Sequence, residues 1–214
     1  MLWKEKRFVE ILLSVKGIVI HSNRVRDHLI KCSNTTDYIN KYIIMRPCTN
    51  FKPNKVTKFN KRKIDIIFFE KYMDSNHFEQ GKELISYLNK TNKTIVNIKY
   101  GHYQQNLIKS LANNSKFIIY FSFFDTGAIG LKEIQNFGVI AFTHQKDLVI
   151  DNETSFYIPE LASINNINIA YEKIINIIEN VSRKNPNSKL IAEKNQMINK
   201  CENSLNDLCK SLLK

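Results

Sequence analysis

The spacing of apolar and polar positions changes period repeatedly along this chain, and each change marks an element. Ile64 to Phe69 and Phe117 to Phe121 are near-continuous apolar runs, as expected of strands buried on both faces. Thr94 to Ile98, Val139 to Phe142 and the shorter Phe156 to Ile158 read as further strands. Between them the period becomes helical. Phe78 to Leu88 turns Leu84, Ile85 and Leu88 inward, Gln104 to Ala112 does the same with Leu107, Ile108 and Leu111, and Ala128 to Phe137 forms a third helix. Strands alternating with such helices predict right-handed βαβ units on a parallel sheet. Beyond the last strand, Ile167 to Val181 carries Ala170, Ile174, Ile177, Ile178 and Val181 on one stripe. After the Asn185-Pro186-Asn187 break, Leu190 to Leu213 places Ile191, Ile198, Cys201, Leu205, Leu208 and Leu212 at helical spacing. That stripe needs burial, which predicts that this helix crosses back toward the amino-terminal segment.

Before Arg46 the rhythm is incomplete. Leu2 to Ser14 reads as a helix stopped by Gly17, and Ile18 to Ile20 as a strand. Arg24 to Cys32 reads as a helix capped by Ser22 or Asn23, and Tyr42 to Met45 as a strand. These elements are too few to close a core alone. The expected fold is therefore α/β, with a Rossmann-like parallel sheet over 64–182 as the main domain. Residues 1–46 would be a fragment of a second domain, 47–63 a connector, and 188–214 a carboxyl-terminal helix.

Charge adds one feature. The chain has 32 Lys and Arg against 20 Asp and Glu, a formal charge of +12. Most lysines are scattered and colour the surface. Tyr38 to Ile64, however, contains no acid and gathers Lys41, Arg46, Lys52, Lys55, Lys58, Lys61, Arg62 and Lys63 around Pro47 and Pro53, as a basic extended connector would. Such charge suits a polyanion: a nucleotide or an acidic membrane face. A nucleic-acid partner is not favoured, because no reader motif or basic-aromatic platform accompanies the charge. Cys32, Cys48, Cys201 and Cys209 form no CxxC pair and have no zinc-spaced histidines, so free thiols in a reducing compartment are expected. No signal peptide and no apolar run of about 18 residues is evident. A cytoplasmic chain is expected, with peripheral contact at a membrane left open.

The segment Tyr120 to Glu133 concentrates the candidate chemistry. A strand ends, a loop carries Asp125, Thr126 and Gly127, and a helix starts near Ala128. Ligands of open α/β sheets bind at the carboxyl ends of strands, and free N–H groups at a helix start suit a diphosphate. At 100° per residue, Gly130, Leu131, Ile134 and Phe137 face the sheet, Lys132, Gln135 and Asn136 face solvent, and Glu133 lies on the border. Two carboxylates are thus directed to one end of the sheet. The alternative is an Asp that caps a helix and a Glu that is simply solvated.

Asp125 and Glu133 are separated by seven residues, and Asn136 to Gln145 follows as NFGVIAFTHQ. This stretch resembles the EX7E region of GT-B glycosyltransferases of the family 4 type. Phe137-Gly138-Val139-Ile140 and His144 to Asp147 match that family's strand and donor-contacting loop, and Asp151 to Pro159 its following segment. His21-Ser22, Met45-Arg46-Pro47 and Phe51-Lys52-Pro53 resemble the end of the front domain and the interdomain linker. The likeness covers about residues 18–182. It implies a retaining transferase with a nucleoside-diphosphate sugar donor, no cofactor and no metal. By the resemblance Glu133 would bind ribose hydroxyls and Asp125 the donor sugar. The backbone of Gly127, Ala128 and Ile129 would meet the diphosphate, with Lys71 or Lys82 neutralising it, and His144 would lie in the donor loop. The chain departs from the family in having Asp125 for Glu, in lacking the strand proline, and in lacking the acceptor-binding front domain. A separate domain or chain would supply that half. The alternative to an enzyme is a non-catalytic nucleotide-sugar-binding or regulatory module, or a catalytically degenerate domain.

Overall fold

In the computed structural model of the chain, residues 10, 14, 18–20, 23–33, 42–44, 49, 51–71, 75–122, 128–149, 151 and 153–199 are described. The chain divides into two compact units. The first holds strand β1 (Ile18–Ile20), helix α1 (Asn23–Ser33) and strand β2 (Tyr42–Ile44). Here β1 and β2 pair in parallel as a two-stranded sheet, a βαβ unit in which Ile20 and Leu29 are buried. The expected helix over Leu2 to Ser14 lies almost wholly outside the described residues.

The second unit, Thr49–Lys200, is an α/β domain with a five-stranded, fully parallel, Rossmann-like sheet. Its elements are β3 (Ile64–Lys71), α2 (Ser75–Asn89), β4 (Ile95–Lys99), α3 (Gln105–Asn114), β5 (Ser115–Ser122), α4 (Ile129–Gln135), β6 (Ile140–Thr143), β7 (Ser155–Tyr157), α5 (Ile167–Lys184) and α6 (Ser188–Asn199). The spatial order is β4-β3-β5-β6-β7. Alternation along the strands splits the core in two. Ile66, Phe68, Phe117, Ile119, Phe121 and Phe142 pack with Leu84 and Leu88 of α2 and Ile174 and Ile178 of α5. Ile67, Phe69, Ile118, Tyr120 and Ala141 pack on the other face with Ile108 and Ala112 of α3 and Leu131 and Ile134 of α4. The central strands are covered on both faces, so their continuous apolar runs are what burial requires; each such side chain contributes about 1.5–3 kcal/mol. Edge strand β4, with Asn97 and Lys99 exposed, keeps only Ile98 fully buried.

The basic stretch before β3 is not uniformly solvated. A short 3-10 turn at Phe59–Lys61 buries Phe59 edge-on against Phe117, with ring centroids 5.6 Å apart. The next residue, Arg62, is 3% exposed. Its guanidinium donates to the carbonyls of Thr57 (3.1 Å), Gly138 (3.2 Å), Ser115 and Phe137. One side chain thereby ties the stretch preceding β3 to the start of β5 and to the corner between α4 and β6.

The same corner corrects the expected exposure of α4. Gln135 and Asn136, placed toward solvent by the helical wheel, are fully buried because α6 lies over them. Asn195 Nδ2 donates to the Gln135 carbonyl (2.9 Å) and Gln196 Nε2 to the Asn136 carbonyl (3.0 Å). Gly138 makes the approach close. It has φ +74°, and a methyl group on it would lie 2.2 Å from the Ser188 carbonyl oxygen. Asn185 ends α5 in the left-handed conformation at φ 44°. The Asn187 side chain then accepts from the amides of Lys189 and Leu190 (3.1 and 3.3 Å), so the Asn-Pro-Asn break is a helix end followed by a helix cap.

Helix α6 differs from expectation in a second respect. Its covered face is largely polar or small, with Ser188, Ala192 and Asn195 buried, whereas Leu190, Met197 and Ile198 are exposed. Ile198 was expected on the buried stripe. The path of the chain beyond Asn199, including the expected return toward the amino-terminal segment, lies outside the described residues.

Two outcomes follow. Arg62→Met should destabilise the domain by about 3 kcal/mol or more, because four carbonyls lose a charged donor at a buried site. An unchanged urea-unfolding midpoint would contradict that role. Gly138→Ala should cost about 1–3 kcal/mol through positive φ and collision with Ser188. Gly130→Ala, with open space around the added carbon, should instead stabilise α4 by about 0.5–1 kcal/mol. Thermal unfolding of the two variants in parallel distinguishes close packing at Gly138 from a general intolerance of α4.

Candidate functional site

The topology defines where a ligand would sit. From β3 the chain steps outward to β4 and then returns past β3 to β5, so consecutive crossovers leave in opposite directions on either side of β3. Helix α2 covers one face and α3 the other. An open parallel sheet wound in this way has its crevice at the carboxyl ends of the strands flanking the reversal, here β3 and β5. In register, Lys71 stands opposite Ser122, and Glu70 is flanked by Phe121 and Lys99.

Of the sequence-derived candidates, Lys71 is the last residue of β3. It is half-buried, with its ammonium 4.5 Å from the Tyr100 ring centroid. Lys82 lies on the exposed side of α2, 3.2 Å from Glu79 Oε1 and 4.1 Å from the Phe78 ring centroid. Ala128, buried and left-handed at φ 44°, precedes α4, and Ile129 opens the helix half-exposed. Glu133 is half-buried on α4, with no hydrogen bond or ion pair among the described residues. His144 is half-buried immediately beyond the end of β6. Asp125 and Gly127 lie outside the described residues. Lys71, Ala128, Ile129 and His144 thus share the carboxyl end of the sheet, Glu133 stands further down α4, and Lys82 stands apart on the outer side of α2.

The same end holds polar residues that the sequence reading passed over. Glu70 is 4% exposed, and its Oε1 has neither solvent nor a hydrogen-bond partner. Gln80 Oε1, on the inner side of α2, and Ser122 Oγ, at the end of β5, are in the same condition. Gln145 folds back over β5, donating from Nε2 to the Ser122 carbonyl and from its backbone amide to Thr143 Oγ1 (3.1 Å). The available signal was the Glu70-Lys71 pair, charged residues that close the apolar run Ile66 to Phe69 on the ligand-facing end of its strand.

The segment matched to the family's last motif has a different task in the structure. Asp151 and Glu153 hold Lys194 of α6, whose ammonium pairs with Asp151 and lies 2.8 Å from Glu153 Oε2. Burial raises the Asp151 carboxyl, but hydrogen bonds from Lys194 and the Glu153 amide outweigh it and hold the group below the usual carboxylate range. Among the described residues, no three His, Cys, Asp or Glu side chains are arranged to hold a metal ion, and no helix is long and apolar enough to cross a membrane. No protein-family model matches the chain, and no characterised protein matches its sequence.

Proposed function

We propose that the Thr49–Lys200 domain binds a nucleoside-diphosphate sugar in the β3/β5 crevice. It would be the donor-binding half of a retaining glycosyltransferase, with the acceptor-binding half supplied by a separate domain or chain. The observation that carries this reading is the reversal of strand order between β3 and β5, with Lys71 at the end of one strand and the Glu133-bearing helix after the other. A diphosphate placed there meets a lysine ammonium and the backbone that leads through Gly127, Ala128 and Ile129 into α4. Glu133, unpaired among the described residues, would accept from the ribose hydroxyls. Asp125 would reach the sugar, and His144 would border it from β6. Lys82, committed to Glu79 on the outer side of α2, is the weaker candidate for the diphosphate. Net charge of +12 favours the capture of such an anion from solution.

Asp125, one methylene shorter than the family's glutamate, favours a second reading: a module that binds the donor without transferring its sugar. Displacement of a reacting group by about 1 Å can cost about a hundredfold in rate.

Calorimetric titration of UDP, GDP and ADP into wild type and Glu133→Gln tests the site. Each hydrogen bond that a hydroxyl donates to a carboxylate contributes about 1.5–3 kcal/mol, so the variant should bind at least about tenfold more weakly. Equal affinities would remove Glu133 from the site, and no binding of any nucleotide to wild type would sink the reading. Asp125→Glu should leave nucleotide affinity nearly unchanged while altering selectivity among donor sugars. Appearance of donor hydrolysis in that variant alone would favour the non-transferring module.

A further inference from the structure

Glu70 is a carboxylate enclosed at the crevice where an anionic ligand is proposed to bind, so it needs a physical account. Unpaired buried polar atoms are costly, and a buried carboxylate more so. The sheet itself suggests why it is tolerated. Side chains alternate along a strand, so Glu70 and Lys71 project to opposite faces at the same end of β3. Lys71 shares its face with Phe69 and, across the register, with Ser122; this is the face covered by α3 and α4. Glu70 shares its face with Phe68 and Phe121, the face covered by α2 and α5. Helix α2 follows β3 after three residues, so its first turns lie at the carboxyl end of the sheet. Gln80 sits one turn before Leu84 on its inner side.

The crevice is therefore divided by chemistry. On the α4 side it offers an ammonium, from Lys71, and the Ser122 hydroxyl, which has no acceptor. On the α2 side it offers two oxygen acceptors without donors, Glu70 Oε1 and Gln80 Oε1. Phosphate oxygens match the first side and are repelled by the second. The second side calls for a group rich in donors. An ammonium group is disfavoured there by Lys99, the neighbour of Glu70 on β4, and by Lys71 on the same strand. Neutral hydroxyls fit.

We infer that Glu70 and Gln80 bind the sugar hydroxyls of the ligand, with the diphosphate crossing the strand ends toward Lys71 and Ser122. This assignment rests on the nucleotide-sugar reading above and adds the orientation of the ligand and two residues that contact its sugar in addition to Asp125.

The test compares UDP, GDP and ADP with UDP-glucose, GDP-mannose and ADP-glucose on wild type, Glu70→Gln and Glu70→Met. For the pair that wild type binds, Glu70→Gln should weaken the nucleotide sugar by about tenfold or more. Affinity for the matching nucleoside diphosphate should be nearly unchanged. Glu70→Met should keep or raise Tm, because an apolar side chain of similar length replaces an unpartnered carboxylate; a residue kept for stability would lower it. Equal weakening of both ligands, or a fall in Tm with either variant, would make Glu70 structural and overturn the inference while leaving the site intact. A large gain in affinity for the bare diphosphate would put Glu70 beside the phosphates and overturn the assigned orientation. If none of the six probes binds wild type, the site reading falls and this inference falls with it.

Discussion

Arg62 buries a guanidinium among main-chain carbonyls, with no carboxylate paired to it among the described residues. Burial lowers its pKa to about 10, so the side chain still carries its charge at neutral pH, and the folded state holds the proton less firmly than the unfolded chain does. The charge is a cost below that pH, and four carbonyls offset it. What the arrangement secures is continuity. Thr57 belongs to the stretch before β3, Ser115 opens β5, and Phe137 and Gly138 form the corner from α4 into β6. Without this donor the corner would present buried carbonyls to an apolar surround. With it, α4 is held at its carboxyl end while its other end faces the crevice. The geometry of the proposed site thus depends on a residue at the opposite, amino-terminal end of the sheet's central strands.

Helix α6 completes the same corner from outside, and it does so with polar contacts. Asn195 and Gln196 satisfy the last carbonyls of α4, and Gly138 admits the Ser188 backbone. Gln135 and Asn195 are fully buried in this contact, and the Gln135 amide and Asn195 Oδ1 are without partners. An interface of this composition gains little from apolar burial, so its hold on α4 comes from directed hydrogen bonds, while Lys194 ties α6 to Asp151 and Glu153 in the segment between β6 and β7. That is why a helical-wheel reading, which assigns apolar positions inward and amides outward, inverted both α4 at Gln135 and Asn136 and α6 at Ile198.

What could be read from sequence follows from how each element is buried. Strands β3 and β5, apolar on both faces, and helices α2, α3 and α5 follow from side-chain period, and their order implied a parallel sheet; on α3, however, Leu107, expected inward, is 52% exposed, and Ile108 and Ala112 make the buried contact. Hydrophobic period says nothing about polar burial. It therefore missed Arg62, which looked like one basic residue among eight, and Glu70, which looked like the first residue after a strand. Both became visible only when the topology supplied their surroundings: carbonyls around the first, an empty acceptor position for the second. The loop with Asp125 and Gly127 lies beyond the described residues, so the half of the candidate site that it would contribute still rests on sequence pattern.

This separation also sorts the parts of the family resemblance. Gly138 is required by its positive φ and by the close passage of Ser188, a demand that any chain packing a helix over this corner would meet with glycine. Asp151 and Glu153 are occupied with Lys194. Those matches follow from the architecture and would recur in a domain with no ligand. Glu133 is different, because no contact among the described residues requires a carboxylate there, and a half-buried position on α4 would be filled at less cost by a neutral side chain. Lys71 is intermediate, since the Tyr100 ring gives its ammonium a local partner. The distinction between a nucleotide-binding domain and a bare α/β scaffold therefore turns on carboxylates that the fold leaves unexplained. Glu70 and Glu133 stand at different distances from the β3/β5 crevice, and in each the charge has no structural use that the packing reveals.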